Sequence, residues 1–164
     1  MLKRVVNAVR RNHALEHATI SILLSRHGPN IHVLGRAAPD GFYIYGDIPT
    51  ETLREMANEG LVRLQRGESH LAVSPLCGTN LAVAGVLAGF ASLFAMGGRS
   101  RLDGIPGVIM AAMLAVLAAQ PLGRLIQKHL TTSPELEGLR IVSVEPMGRR
   151  FPNLHKVSTA PVRG

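Results

Sequence analysis

Residues 13–17 read His13-Ala14-Leu15-Glu16-His17, the spacing H-x-x-E-H, and the conformation of this stretch decides how the rest of the chain is read. Histidines four apart project from the same face of a helix, one turn above the other, with the glutamate between them on that side. Apolar residues recur at Val6, Val9, Ile20, Leu23 and Leu24, and stepping through them at three or four residues lands on His13 and on Glu16/His17. The spacing predicts an amphipathic helix over residues 2–26 whose apolar stripe carries three ionisable side chains. Buried ionisable groups must pair with something or bind a metal.

Working outward, His27, Gly28 and Pro29 form a stop signal for that helix. Residues 31–34 and 42–48 are rich in β-branched and aromatic side chains and read as two strands. Pro39-Asp40-Gly41 between them supplies hairpin-turn chemistry. Pro49 or Thr50 opens a second helix with Glu51 and Glu55 early, Arg63 and Arg66 late, and an apolar stripe of Leu53, Met56, Ala57, Leu61 and Leu64. Residues 70–74 are a candidate third strand. The order α-β-β-α-β is that of a small α+β domain, expected over residues 1–78.

No Asp, Glu, Lys or Arg occurs from Leu71 to Gly98, and none from Gly104 to Gly123. Such runs are long enough to cross a bilayer as helices. Thr79 or Asn80 would cap the first, near residues 80–96, and the second is expected near residues 105–123, with Pro121 kinking it or marking its exit. The link of residues 97–104 makes them antiparallel neighbours, a hairpin assigned to residues 79–126. Gly85 and Gly89 in one span, and Ala111, Ala115 and Ala119 in the other, are small residues at intervals that let helix backbones approach closely in lipid. Arg124 and Lys128 would snorkel at the surface. Residues 127–164 form a C-terminal strand and tail: residues 139–144 alternate as a strand that could join the N-terminal sheet, and the last fifteen residues are expected to be loosely ordered.

Lys and Arg number 18 against 11 acids, a net charge of +7. The cations are scattered, aromatics are few and no nucleic-acid-binding signature is present, so nucleic acid is not the expected partner. Nine Lys/Arg precede the first apolar run, Arg99 and Arg101 lie between the runs and seven follow. That distribution favours an inner-membrane protein with both termini cytoplasmic. Met1 leads into a polar helix rather than a short apolar core, so no signal peptide is expected. The lone Cys77 excludes an intramolecular disulfide.

H-x-x-E-H is the inverted zinc-protease spacing. Imidazoles at i and i+4 can both reach one Zn²⁺ at about 2 Å, and a nearby carboxylate can take a proton from water that the metal acidifies. His13 and His17 are then ligands and Glu16 the general base. Cys77, in a Pro/Gly loop at the lip of the first span, is the foremost candidate for a third ligand, and His70 and Glu55 are further candidates. The blander reading is a buried hydrogen-bond network around Glu16, with Cys77 a small apolar residue. His27, His32, His129 and His155 read as surface histidines, and Arg10 and Arg11 could touch lipid headgroups.

The segments RNHALEHATI, GFYIYGDIPTE and GESHLAVSPLCGTN, followed by two apolar spans, resemble a family of bacterial two-span membrane proteins of unassigned function over most of residues 10–120. The resemblance implies a two-span membrane protein, with the shared positions falling on His13, Glu16, His17, Cys77, Gly78, Thr79 and Asn80. The family pattern often has a histidine before the proline where this chain has Ser74, which argues against position 74 as an essential ligand. Likeness to inverzincin peptidases is confined to the five residues of H-x-x-E-H. Three functions follow as expectations: a membrane-anchored zinc hydrolase, most plausibly a peptidase; a non-catalytic membrane protein whose cluster is a structural metal site or polar lock supporting a membrane-protein partner or a homo-oligomer; and a small transport subunit. The last is weakest, since neither span contains an ionisable residue.

Overall fold

A computed structural model describes residues 1–28, 30–97, 101–148 and 151–162, with the side chains of 101–103 also outside the description. The elements are α1 (Leu2–His27), β1 (Leu34–Ala38), β2 (Gly41–Tyr45), α2 (Thr50–Gln65), a 3₁₀ turn (Ser69–Ala72), α3 (Gly78–Met96), α4 (Arg101–Ile126, continuing as a π-helical turn Gln127–Thr131), β3 (Leu139–Pro146) and β4 (Leu154–Pro161). They form two compact units: residues 1–74 with 128–164, and residues 75–127.

The first unit is α+β. Its four strands form an antiparallel sheet in the order β1-β2-β4-β3, so the C-terminal residues complete a sheet that the N-terminal half begins. The hairpin turn is the two residues Pro39-Asp40, with Ala38 opposite Gly41 and Leu34 opposite Tyr45. That register moves the first strand to 34–38 from the expected 31–34. Ile31 and Val33 pack on the core from an irregular lead-in instead. Gly41, at φ +145°, lies where a Cβ would stand 1.9 Å from the Val157 carbonyl oxygen, so the turn residue is also the seam to β4.

Along β2, Phe42 and Ile44 are fully buried while Tyr45 is exposed, the alternation of a sheet covered on one face. The cover is α1 and α2, which pack on each other and on the strands. The core joins Leu15, Ala18, Ile22 and Leu23 of α1, Leu53, Met56, Ala57, Leu61 and Leu64 of α2, and Val144 and Val157 of the sheet. The α2 stripe is as expected, and Gly60 extends it: a Cβ there would meet Ala18 Cβ at 3.2 Å, so this glycine sets how closely the helices cross. On α1 the core face is displaced from the expected series. Val6 is 46% exposed, because the first two turns extend past the layer that covers Leu15 to Leu23. α1 ends at Gly28, whose N–H donates to the Leu24 carbonyl at 3.0 Å; Pro29 of the expected stop lies outside the described residues.

Two further expectations are corrected. Residues 70–74 form no strand; Ser69–Ala72 is a 3₁₀ turn that buries Leu71 and Ala72. The C-terminal residues are ordered as β4, an interior strand between β2 and β3, because His155 and Val157 fill sheet positions facing the helices. β3 begins at the expected Leu139 and runs two residues further, to Pro146.

The second unit is the apolar hairpin of α3 and α4. Two segments, Gly78–Met96 and Gly104–Thr131, have the length and hydropathy of membrane spans, and each is only 11% buried, unlike a core helix of a water-soluble protein. Both proline-bearing turns are accommodated, Pro106 and Pro121 lying inside α4. The helix cap is Cys77 rather than Thr79 or Asn80: its sulfur accepts from the Thr79 N–H at 3.4 Å. Asn80 takes another role. Its amide donates to the Pro75 carbonyl at 2.9 Å and its Oδ1 accepts from the Gln127 side chain at 2.7 Å. Gly123 makes room for that pair, since a Cβ there would lie 2.1 Å from Asn80 Oδ1. Gly85 and Gly89 are exposed with nothing within 4 Å of an added Cβ, so they do not make the hairpin contact, whereas Ala111 and Ala115 are half-buried and Ala119 is fully buried. Of the link between the helices, residues 98–100, Arg99 among them, lie outside the described residues.

His155, expected at the surface, is 3% exposed; its Nε2 meets Thr50 Oγ1 at 3.1 Å and its buried Nδ1 has no partner among the described residues. Burial pushes its pKa below the ordinary 6.5. The unfolded chain takes up this proton near 6.5 and the folded chain only at lower pH, so the stability is complete above about 6.5 and falls on acidification below it. Chemical denaturation of wild type and His155→Gln across this window should show a difference between them that shrinks as the pH falls.

Candidate metal centre

The helix α1 holds its histidines by their backs. His13 Nδ1 lies 3.0 Å from the Thr131 carbonyl oxygen, and His17 Nδ1 lies 2.8 Å from that of Ala72. A carbonyl oxygen only accepts, so in each ring Nδ1 carries the hydrogen and donates it. In the neutral ring this puts the lone pair on Nε2. Fixing the tautomer through a carbonyl on the far nitrogen is what metal-ligating histidines do. The ring centroids are 4.4 Å apart at 60°, so the i,i+4 spacing brings the imidazoles together as expected.

Glu16 is 5% exposed and His17 3%, while the His13 side chain keeps 17% of its surface. Glu16 Oε2 stands 3.9 Å from His13 Nε2, beyond a direct hydrogen bond. The other carboxylate oxygen is set against β1: an added Cβ on Gly35 would lie 1.9 Å from Glu16 Oε1 and 2.5 Å from its carboxyl carbon. A glycine in a strand marks a close approach of this kind. Gly35 lies one residue past the end of the strand expected from the sequence, so the signal fell outside the element it belongs to.

The rest of this helix segment also reads backbone carbonyls. The Arg10 guanidinium donates to the carbonyls of His129 and Thr132, both at 3.0 Å, and Arg11 donates to that of Glu137 at 2.5 Å. Asn12, 1% exposed, donates to the Ala38 carbonyl at 2.8 Å and accepts from Thr159 Oγ1 at 2.7 Å. Arg10 and Arg11, expected at lipid headgroups, therefore clamp the chain where it returns from α4. Arg10 and Asn12 are functional neighbours that periodicity alone does not reveal, because their partners are backbone atoms more than twenty residues away.

The two further ligand candidates do not face this pair. Glu55 is exposed on α2, opposite the stripe that packs on α1, and His70 is exposed on the 3₁₀ turn. That turn contributes through its backbone instead, by the Ala72 carbonyl under His17. Cys77, half-buried, belongs to the second unit as the cap of α3, where the helix dipole favours negative charge.

Fold and site thus define a class: an α+β unit with a carbonyl-anchored histidine pair, its chain interrupted by an apolar helical hairpin. The chain belongs to the family described as a domain of unknown function (DUF6391), whose profile matches residues 8–144. It is similar to an uncharacterized protein of Picosynechococcus sp., 33% identical over 138 residues, a match that covers 76% of this chain and 66% of that relative. No solved structure matches it.

Gly35→Ala is expected to cost about 1–3 kcal/mol by overpacking the Glu16 carboxylate. In a Glu16→Ala background most of that cost should vanish, which a double-mutant cycle by chemical denaturation would measure; equal costs in both backgrounds would show that the carboxylate is not what Gly35 accommodates.

Proposed function

We propose that this protein is a membrane-anchored metal-binding protein in which His13, His17 and Cys77 hold zinc, and that Glu16 acts as general base in hydrolysis at the membrane surface, with peptide bonds the leading substrate class. The observation that carries the reading is the donation from both Nδ1 atoms to backbone carbonyls, which orients two Nε2 lone pairs from one helix face. In its support, one donor atom from each of His13, His17 and Cys77 lies within 4.8 Å of the others. Donors around tetrahedral zinc at 2.0–2.3 Å stand about 3.3–3.8 Å apart, so the group needs to contract by about 1 Å to bind. When bound, zinc supplies Lewis acidity; Glu16, held against Gly35, is placed to take a proton from water in the space beside His13.

The membrane part rests on the hairpin. A 19-residue helix is about 28 Å long, close to the hydrocarbon thickness of about 30 Å. Leu81, Phe90, Leu93, Phe94, Met113 and Leu117 are each more than half exposed, an apolar surface suited to lipid. Both flanks of the hairpin share one sheet and so lie on the same side of any bilayer it crosses. The cation distribution favours the cytoplasmic side of an inner membrane for both flanks.

A second reading has its own observation. Glu16 and His17 are so fully buried, and both imidazoles so well satisfied by carbonyls, that the trio serves equally as a polar lock without chemistry. Metal analysis of protein purified without chelator separates the two. Stoichiometric zinc is expected, with His13→Ala and His17→Ala each losing at least about 100-fold in affinity, more than loss of an outer-shell partner costs. Absence of bound zinc, with no affinity on titration, would remove the metal reading. Glu16→Gln is expected to retain the metal and abolish hydrolysis; a drop in stability with unchanged metal content would favour the lock.

A further inference from the structure

The first two turns of α1 present apolar side chains that the sheet and α2 leave uncovered. Leu2 is 78%, Val5 41% and Val6 46% exposed. With half-buried Val9 they stand at intervals of three and four, one strip that continues on the same face to His13. Lys3 and Arg4 are exposed in the same turns, and residues 1–15 contain no Asp or Glu. Cations at a helix N-terminus oppose the helix dipole, so this end of α1 is electrostatically unfavourable in water and is relieved by an anionic surface.

The second observation is the neighbourhood of the strip within its own unit. Arg10 donates to the carbonyls of His129 and Thr132, and the Ser133 N–H returns to the Arg10 carbonyl at 3.0 Å. Those residues overlap the end of, or directly follow, the apolar segment Gly104–Thr131. One turn past Val6, α1 is therefore tied to the residues that end and follow the second apolar segment. Leu130, 66% exposed, and the exposed Lys128 extend the apolar and basic character there.

Resting on the reading of the hairpin as a bilayer-spanning unit, we propose that the first turns of α1 dock on the membrane surface. The strip Leu2/Val5/Val6 lies at the headgroup–acyl boundary, with Lys3, Arg4 and Lys128 on anionic headgroups. The helix then lies in the plane of the interface and carries His13 toward headgroup level, one face in lipid and the other on the sheet.

The chain contains no tryptophan, so Val6→Trp introduces a single reporter. The full-length variant would be reconstituted into bilayers of phosphatidylcholine, or of phosphatidylcholine with phosphatidylglycerol, each carrying lipids brominated high on the acyl chain. In anionic bilayers the emission is expected to be blue-shifted and quenched at least about twofold. Each cation near an anionic surface is worth about fivefold in partitioning, so Lys3→Gln with Arg4→Gln, or omission of phosphatidylglycerol, should restore most of the intensity. Phe90→Trp in a separate preparation reports the hairpin and should be quenched by deeply brominated lipid whatever the headgroup charge. An unquenched reporter at position 90 would overturn the membrane reading and this proposal with it. A quenched reporter at 90 with water-like emission at 6 would overturn this proposal alone. A blue shift at 6 without bromolipid quenching would mean that protein, a second copy included, covers the strip, and would also overturn it.

Discussion

One stretch of α1 holds the first unit together by donating side-chain hydrogen bonds to backbone carbonyls. Arg10, Arg11, Asn12, His13 and His17 bond the carbonyls of His129 and Thr132, Glu137, Ala38, Thr131 and Ala72. These acceptors lie at the end of β1, in the 3₁₀ turn, and in the π-helical turn and connection that precede β3. Irregular backbone has acceptors that no ladder satisfies, and leaving them buried without donors is costly. The helix can supply those donors because its own backbone groups are already paired. Its other face, with Leu15, Ala18, Ile22 and Leu23, carries the apolar packing.

That division of labour explains why the histidines are where they are. An imidazole that donates from Nδ1 to a carbonyl is held in one tautomer and one rotamer, and its second nitrogen then faces outward as an acceptor. Two such rings on successive turns make a converging pair at no further conformational cost, since packing has already frozen them. Thr131, which anchors His13, belongs to the π-helical turn that ends the second apolar segment. Ala72, which anchors His17, precedes the first by a few residues. Both anchors, like the histidines they hold, belong to the first unit.

Much of the architecture was legible in order along the chain. The two helices of the first unit, the β-hairpin, the two apolar helices and the returning strand each carry a periodicity or a composition that local physics reads. What was hidden depends on long-range neighbours. Residues 70–74 alternate no better than a short apolar run, and the 3₁₀ turn wins because Ala72 must bring its carbonyl under His17. β4 was obscured by its Pro and Ser content, yet it gains ladder partners on both sides and buries His155 and Val157. On α1 the interval rule found a stripe, but two apolar faces overlap there and the rule cannot tell which one the sheet covers. The H-x-x-E-H trio was legible as a cluster; its anchors were not, because a backbone carbonyl has no letter in the sequence. Glu55 and His70 were credible ligands by residue type, and both lie exposed.

The hairpin shows the same economy in an apolar unit. There a buried side-chain amide is costly unless fully partnered, and the second unit buries two, Asn80 and Gln127, joined to each other and to the Pro75 carbonyl. The glycine that admits them, Gly123, sits on α4 two residues past Pro121. Polar closure is therefore confined to the end of the hairpin where the chain enters and leaves, while its outer surface is left to Leu, Phe and Met. A bundle held by many small-residue contacts along its length would not need that lock, and the open space beside Gly85 and Gly89 indicates that α3 is not held in that way.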